Sequence, residues 1–240
     1  MGGTHSERQE RRFIEIINET IANTVSLSVN IRANCVILPH IQSAEKYTGT
    51  QLGGSEPYTD VILRSATETY RLSLKGTSSL SLGGGGLRGL ELIVPGLARH
   101  FLESIYDEYL MDFHQGELIP NAYGLLDYYD QVKIIIGNDL VGGPIDYLYI
   151  GPMTVRGDYD TLSNTLELNG SLHDSVSYAG SRILHFRLRA RRRDQRFDPF
   201  LYDKYHIPRI YGISPSHGDS GGRLVITDQI PSNARMIEYV

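Results

Sequence analysis

Asp60 opens an apolar run, Val61-Ile62-Leu63, and Ser73-Leu74-Lys75 closes the next one, Thr69 to Lys75. Read as two strands of a hairpin, these runs bring an acid and a lysine to one sheet edge. Residues two apart on a strand share a face, so Ser73 and Lys75 point the same way. A carboxylate that can hold a divalent cation, with an ammonium near an attacking water, is equipment for phosphodiester hydrolysis. Mg²⁺, or Mn²⁺ in its place, suits such oxygen ligands. A second acid from the preceding helix would complete the metal site. Glu19 is the first choice and Glu15 the reserve, since residues four apart share a helix face. Asp60 and Glu19 are thus the expected metal ligands, with Lys75 and Ser73 beside them.

Three other constellations bear on chemistry. His185 to Arg196 (HFRLRARRRDQR) carries six arginines and one acid, in a chain whose formal net charge is −5. Such a local basic patch is where a polyanion docks. His185, Arg187, Arg189 and Arg191 share a strand face, and Arg192 and Arg193 break the alternation at its end. Arg187, Arg189, Arg191, Arg192 and Arg193 are the candidate DNA contacts, of the phosphate type that fixes position without reading bases. A solvated or partner-binding face fits the same pattern. Gly218-Asp219-Ser220-Gly221-Gly222 reads like the nucleophile loop of trypsin-like proteases, where a serine attacks a carbonyl and turn amides hold the oxyanion. Only a short tail follows it, and two helical stretches sit badly in an all-β protease. A turn before a strand accounts for the same letters. Gly83 to Gly86, ahead of a helix, lacks the Lys-Ser/Thr of a P-loop.

The elements that must position these residues follow from periodicity. Phe13, Ile16, Ile17, Thr20 and Ile21 recur at steps of three and four, which predicts a helix over 7–22, stopped at Asn23. Strands are expected at 24–31 and 35–38, then a Gly/Thr/Ser-rich loop over 47–57. The hairpin 60–64 and 69–75 comes next. A helical stretch over 87–113 contains Pro95, which kinks or divides it. Further strands are expected at 132–136, 147–150, 161–172, 182–191, 209–213 and 223–227.

The order helix, strands, Asp strand, Lys strand, Gly-rich turn, helix resembles the PD-(D/E)xK, or restriction-endonuclease-like, superfamily. Tyr58-Thr59-Asp60-Val61-Ile62-Leu63 followed by Leu72-Ser73-Leu74-Lys75 is similar to members encoded by tailed bacteriophages, in which the second strand reads Ile/Leu-Ser-x-Lys. Arg187 to Pro199, Ile207-Pro208 to Tyr211-Gly212 and Gly218-Asp219-Ser220 resemble the far end of such proteins. The resemblance implies an α/β fold with a mixed central sheet flanked by helices. It also implies metal-dependent cleavage of DNA, a possible homodimer in which each site cuts one strand, and a place in the host cytoplasm or the virion. Ser73 stands where the superfamily carries Asp or Glu, and a hydroxyl is the poorer metal ligand. Glu68 or Glu91 could reach in instead. A protein that keeps the fold without cutting, virion-associated or DNA-binding, is the alternative.

Composition sets the outer bounds. The chain has 240 residues, 40% hydrophobic and 21% charged, which is ordinary for a globular protein. One elaborated domain is expected, with a nuclease-like core over about 7–135 and a β-rich part over about 136–240. The single Cys35 rules out an internal disulfide and fits a reducing compartment. No apolar run approaches the roughly 20 residues of a membrane span, and the polar start carries no secretory signal pattern.

Overall fold

Phe13, Ile16, Ile17 and Ile21 line one stripe of the first helix, and that stripe needs an apolar surface to cover. In the computed structural model the surface is a sheet face built from Leu27, Val29, Ile31, Val61, Leu63, Leu72, Leu74, Leu166 and Leu168. The structure describes residues 5–49, 57–77, 81–82, 86–97, 100–101, 104, 122–189 and 223–238. In chain order the strands are β1 (Leu27–Ile31), β2 (Val36–Lys46), β3 (Val61–Ser65), β4 (Thr69–Gly76), β5 (Ser81–Leu82), β6 (Ala122–Leu125) and β7 (Tyr147–Gly151). They continue as β8 (Gly157–Asp160), β9 (Thr165–Leu168), β10 (Ser171–Asp174), β11 (His185–Arg189), β12 (Arg223–Thr227) and β13 (Arg235–Ile237). The helices are α1 (His5–Ile21), α2 (Gly86–Ile93), α3 (Tyr128–Ile136) and α4 (Ser175–Gly180). The protein is therefore mixed α/β, with a large mixed sheet.

The chain forms two compact units, each drawn from separated stretches. The first takes Met1–Thr50, Pro57–Ser78 and Gly142–Gly180, and the second takes Gln51–Glu56, Ser79–Val141 and Ser181–Val240.

The first unit holds an eight-stranded sheet in the order β10-β7-β4-β3-β2-β1-β9-β8. Strands β1 to β4 form an antiparallel meander. Strand β7 lies parallel beside β4, and β9 parallel beside β1. Helix α1 covers the apolar face, where Phe13 meets the Tyr149 ring edge-on at 5.0 Å. Amide side chains finish what the strands leave open. Strand β1 begins only opposite Ile41, and Asn18 takes the place of a neighbouring strand for Ala44. Its Nδ2 donates to Ala44 O at 2.7 Å and its Oδ1 accepts from Ala44 N at 2.9 Å. Asn34 does the same for Leu172.

The second unit has a five-stranded sheet in the order β13-β6-β11-β12-β5. Gln131 on α3 ties its interior together: Nε2 donates to Arg182 O and Oε1 accepts from Leu184 N, both at 2.8 Å.

Three segments depart from the sequence reading. The stretch 132–136, expected as a strand, is the end of α3. Asp127 caps that helix by accepting from Tyr129 N at 2.7 Å and Asp130 N at 3.1 Å, and Gly137, at φ 72°, ends it. Gln131, Ile134 and Ile135 then fall on one buried face, so capping overrides the β-propensity of the isoleucines. Strand β2 runs well past the expected 35–38, carried through Pro39 and His40 (φ 57°) to Lys46, with a bulge at Ile41/Ser43. The 161–172 run divides into β9 and β10 at Gly170, whose φ of 104° suits glycine and where a Cβ would collide with the Tyr149 ring. Pro95 divides its helical stretch: α2 stops at Ile93, and Gly96 turns the chain at φ 87°. The expected strand at 209–213 lies outside the described residues. Among the described residues, no helix is long and apolar enough to cross a membrane.

Candidate active site at the Asp60 and Lys75 strands

Asp60 immediately precedes β3 and is pinned by its backbone. Its N–H donates to Leu72 O at 2.9 Å, and its carbonyl accepts from Tyr47 N at 3.1 Å. The next residue, Val61, is in the core with Leu72 and Leu74. By strand alternation Asp60, Ser73 and Lys75 therefore share the face opposite α1. Asp60 Oδ2 accepts from Leu74 N at 2.6 Å and from Ser73 Oγ at 3.1 Å, and lies 3.9 Å from Lys75 Nζ. Ser73 is buried, while the Asp60 and Lys75 side chains keep 17% and 29% of their exposure. The short Leu74 bond is charge-assisted and fixes the carboxylate. The longer lysine contact adds little stability at that exposure, but leaves an ammonium aimed at a held carboxylate. Asp60, Ser73 and Lys75 thus come together.

Glu19 and Glu15 do not join them. Glu19 pairs with Arg12 at 3.3 Å on an exposed helix face, and Glu15 with Arg11 at 3.7 Å and Arg12 at 3.5 Å. Glu10 is the helix acid that faces the sheet. It accepts from Lys46 Nζ at 3.0 Å and its side chain is 13% exposed. The Lys46 ammonium is held above the usual lysine range, first by this hydrogen bond, then by the charges of Glu10, Glu7 and Asp60, against the opposing effect of burial. Glu10 is thus the direct partner of Lys46, and Asp60 reaches that ammonium only through its charge. The signal was present in the sequence: Glu10, Phe13, Ile17 and Ile21 form one row at steps of three and four, whereas Glu15 and Glu19 lie across the helix from Phe13 and Ile17.

Mg²⁺-class cations need only one or two protein carboxylates, with water and substrate oxygens filling the shell. Asp60 meets the need for one; Glu10, on α1, lies across the sheet from it and is held by Lys46, and Glu19 points to the exposed helix face. Ser73 carries a hydroxyl and no carboxylate, and its proton goes to Asp60. Among the described residues no group of three or more His, Cys, Asp or Glu forms a full protein cage for a metal. Glu68 is engaged with Tyr70 at the hairpin turn, and Glu91 accepts from Gly96 N at 2.8 Å.

The basic strand belongs to the second unit. Arg187 pairs with Val225 and Tyr123, and Arg189 with Arg223, in the backbone register of β11. His185, expected on the same strand face, is buried; its Nδ1 has no hydrogen-bond partner, and burial lowers the pKa of its ring. Arg191, Arg192 and Arg193, the 218–222 loop with Ser220, and Gly83 to Gly85 lie outside the described residues. Comparison with family models, curated proteins and solved structures gives no match.

Proposed function

We propose that the chain hydrolyses DNA phosphodiester bonds with Mg²⁺ or Mn²⁺, as an endonuclease built on a restriction-endonuclease-like core. The observation that carries this reading is the meeting of Ser73 Oγ, Leu74 N and Lys75 Nζ at Asp60 Oδ2. The antiparallel order β2-β3-β4, with β7 parallel beside β4 and α1 across the face, supports it. Asp60 would hold the cation, with water and substrate oxygens completing its shell. When bound, it supplies Lewis-acid polarisation of a phosphoryl oxygen and a more acidic water. Lys75 orients that water or balances charge that develops on the phosphate. Ser73 keeps the Asp60 carboxylate in one orientation. Arg187, Arg189 and Arg191 to Arg193 would contact DNA phosphates, and a homodimer would cut both strands.

One observation favours a second reading. Ser73 stands in place of an acid and donates its proton to Asp60. A phage-type protein that keeps this arrangement to bind DNA or join a virion, without cutting, would use Asp60 purely to tie the two strands. Calorimetric titration of Mg²⁺ into native protein and Asp60→Ala separates the two. The nuclease reading expects saturable heat from the native chain and none from the variant. Silence from both leaves the non-catalytic reading standing.

A further inference from the structure

Gln9 sits on α1 one turn before Phe13 and is 1% exposed. Its Nε2 donates to Gly151 O at 3.0 Å and to Pro152 O at 3.1 Å, and comes within 3.5 Å of Lys75 O. A carboxamide nitrogen carries two protons, so the third carbonyl is the weakest partner of the set. Lys75 and Gly151 lie at the C-terminal ends of two adjacent parallel strands, and Pro152 directly follows the second. Lys75 on β4 lies opposite Ile150 on β7, and Gly76 lies opposite Gly151. Beyond that last rung no further strand pairing follows, and buried carbonyls there need a donor. Gln9 brings one from the helix.

An apolar side chain would serve ordinary helix-on-sheet packing at this place, as Phe13 and Ile17 do in the same row. A buried carboxamide instead fixes the ends of β4 and β7 to each other and to α1. The residue at that end of β4 is Lys75, whose Nζ stands 3.9 Å from Asp60 Oδ2. Both glycines at the rung, Gly76 and Gly151, leave the backbone without side-chain support of its own. A Cβ at Gly151 would strike the Tyr149 ring, and one at Gly76 would meet Met153 at 2.6 Å.

We infer that Gln9 is a positioning residue: by clamping the carbonyl ends of β4 and β7, it sets where the Lys75 ammonium stands against Asp60. Its effect on rate rests on the phosphodiesterase reading, and its effect on Lys75 geometry does not.

The test uses the full chain. Gln9→Met keeps volume and helix preference and removes the donors, and Gln9→Glu keeps the shape. The lysine side-chain resonances are recorded by NMR, with Lys75 assigned through Lys75→Arg. In the native protein, Asp60→Asn should shift the Lys75 signals. In Gln9→Met those signals should already be displaced, and adding Asp60→Asn should move them little further. In Gln9→Glu the displacement should be larger at pH 8, where a carboxylate faces carbonyl oxygens, than at pH 5, where a protonated carboxyl can donate. A merely space-filling role has no such pH dependence. Should Gln9→Met melt below the working temperature, Gln9→Asn draws the amide back by one methylene and carries the same readout. In DNA hydrolysis, kcat should fall on the order of 10²-fold with KM unchanged, the size expected of a reacting group misplaced by about 1 Å. Lys75 signals that superimpose on native in the Gln9 variants would overturn the inference. Inactive native protein would instead remove the phosphodiesterase reading, while the NMR comparison still decides the role of Gln9.

Discussion

The two units build their sheets with different shares of local connection. In the first, β1 to β4 are neighbours in sequence and in space, and one amphipathic helix lies across them. In the second, β6 pairs with β11 and β13, and β12 pairs with β5, so each rung joins distant stretches of chain. Neighbouring strands joined by short turns leave a local signature, whereas distant pairings leave none. The candidate catalytic residues lie in the locally connected unit and the basic strand in the other.

The first unit depends most on its helix. Phe13 is fully buried against Tyr149. Phe13→Ala should cost about 3–5 kcal/mol and should lower the denaturant midpoint of the first unit. Hydrogen exchange that loosens β1 to β4 while leaving β6 and β11 protected would confirm that the units fail separately. Equal loosening of both would mean they unfold as one.

A smaller effect is expected from the bridging amides. Asn18→Ala and Gln131→Ala each remove a two-bond tie, one per unit, and each should cost roughly 1–3 kcal/mol. If the second unit depends more on such ties for its long-range pairing, Gln131→Ala should be the worse of the two in thermal melts. The reverse order would show that the meander needs its edge closed more than the second sheet needs its brace.

The smallest effect is a pH slope confined to the second unit. Burial lowers the pKa of His185 below its ordinary value of 6.5. As pH falls below that value, the unfolded chain takes up a proton that the folded chain resists. Stability contributed by the neutral ring is therefore present above pH 6.5 and is lost on acidification. His185→Phe should flatten the stability curve on that side, measured by urea unfolding between pH 7 and pH 5. An unchanged slope would assign the acid sensitivity to other groups.

The same contrast explains what could be read from the letters. The α1 stripe, the β3–β4 hairpin and the meeting of Asp60 with Ser73 and Lys75 all rest on local periodicity, and all were legible. The exposure of Glu15 and Glu19 was also legible, since both lie across the helix from Phe13 and Ile17, but choosing an acid by its spacing to another acid picked that face. The strand expected at 132–136 failed because Asp127 and Gly137, outside the apolar run, cap a helix. Gln9, Asn18, Asn34 and Gln131 could not be read at all. Their partners are backbone groups on remote strands, and one glutamine in a helix looks like any other.

The most direct test is plasmid nicking with Mg²⁺ or Mn²⁺ by native protein, Lys75→Ala, Asp60→Asn and Glu19→Gln. The account predicts cleavage by native protein and by Glu19→Gln, and loss on the order of 10²-fold or more in Lys75→Ala and Asp60→Asn, as befits groups that meet the reacting charge. Equal cleavage by native protein and Lys75→Ala, or greater loss in Glu19→Gln than in Asp60→Asn, would contradict it.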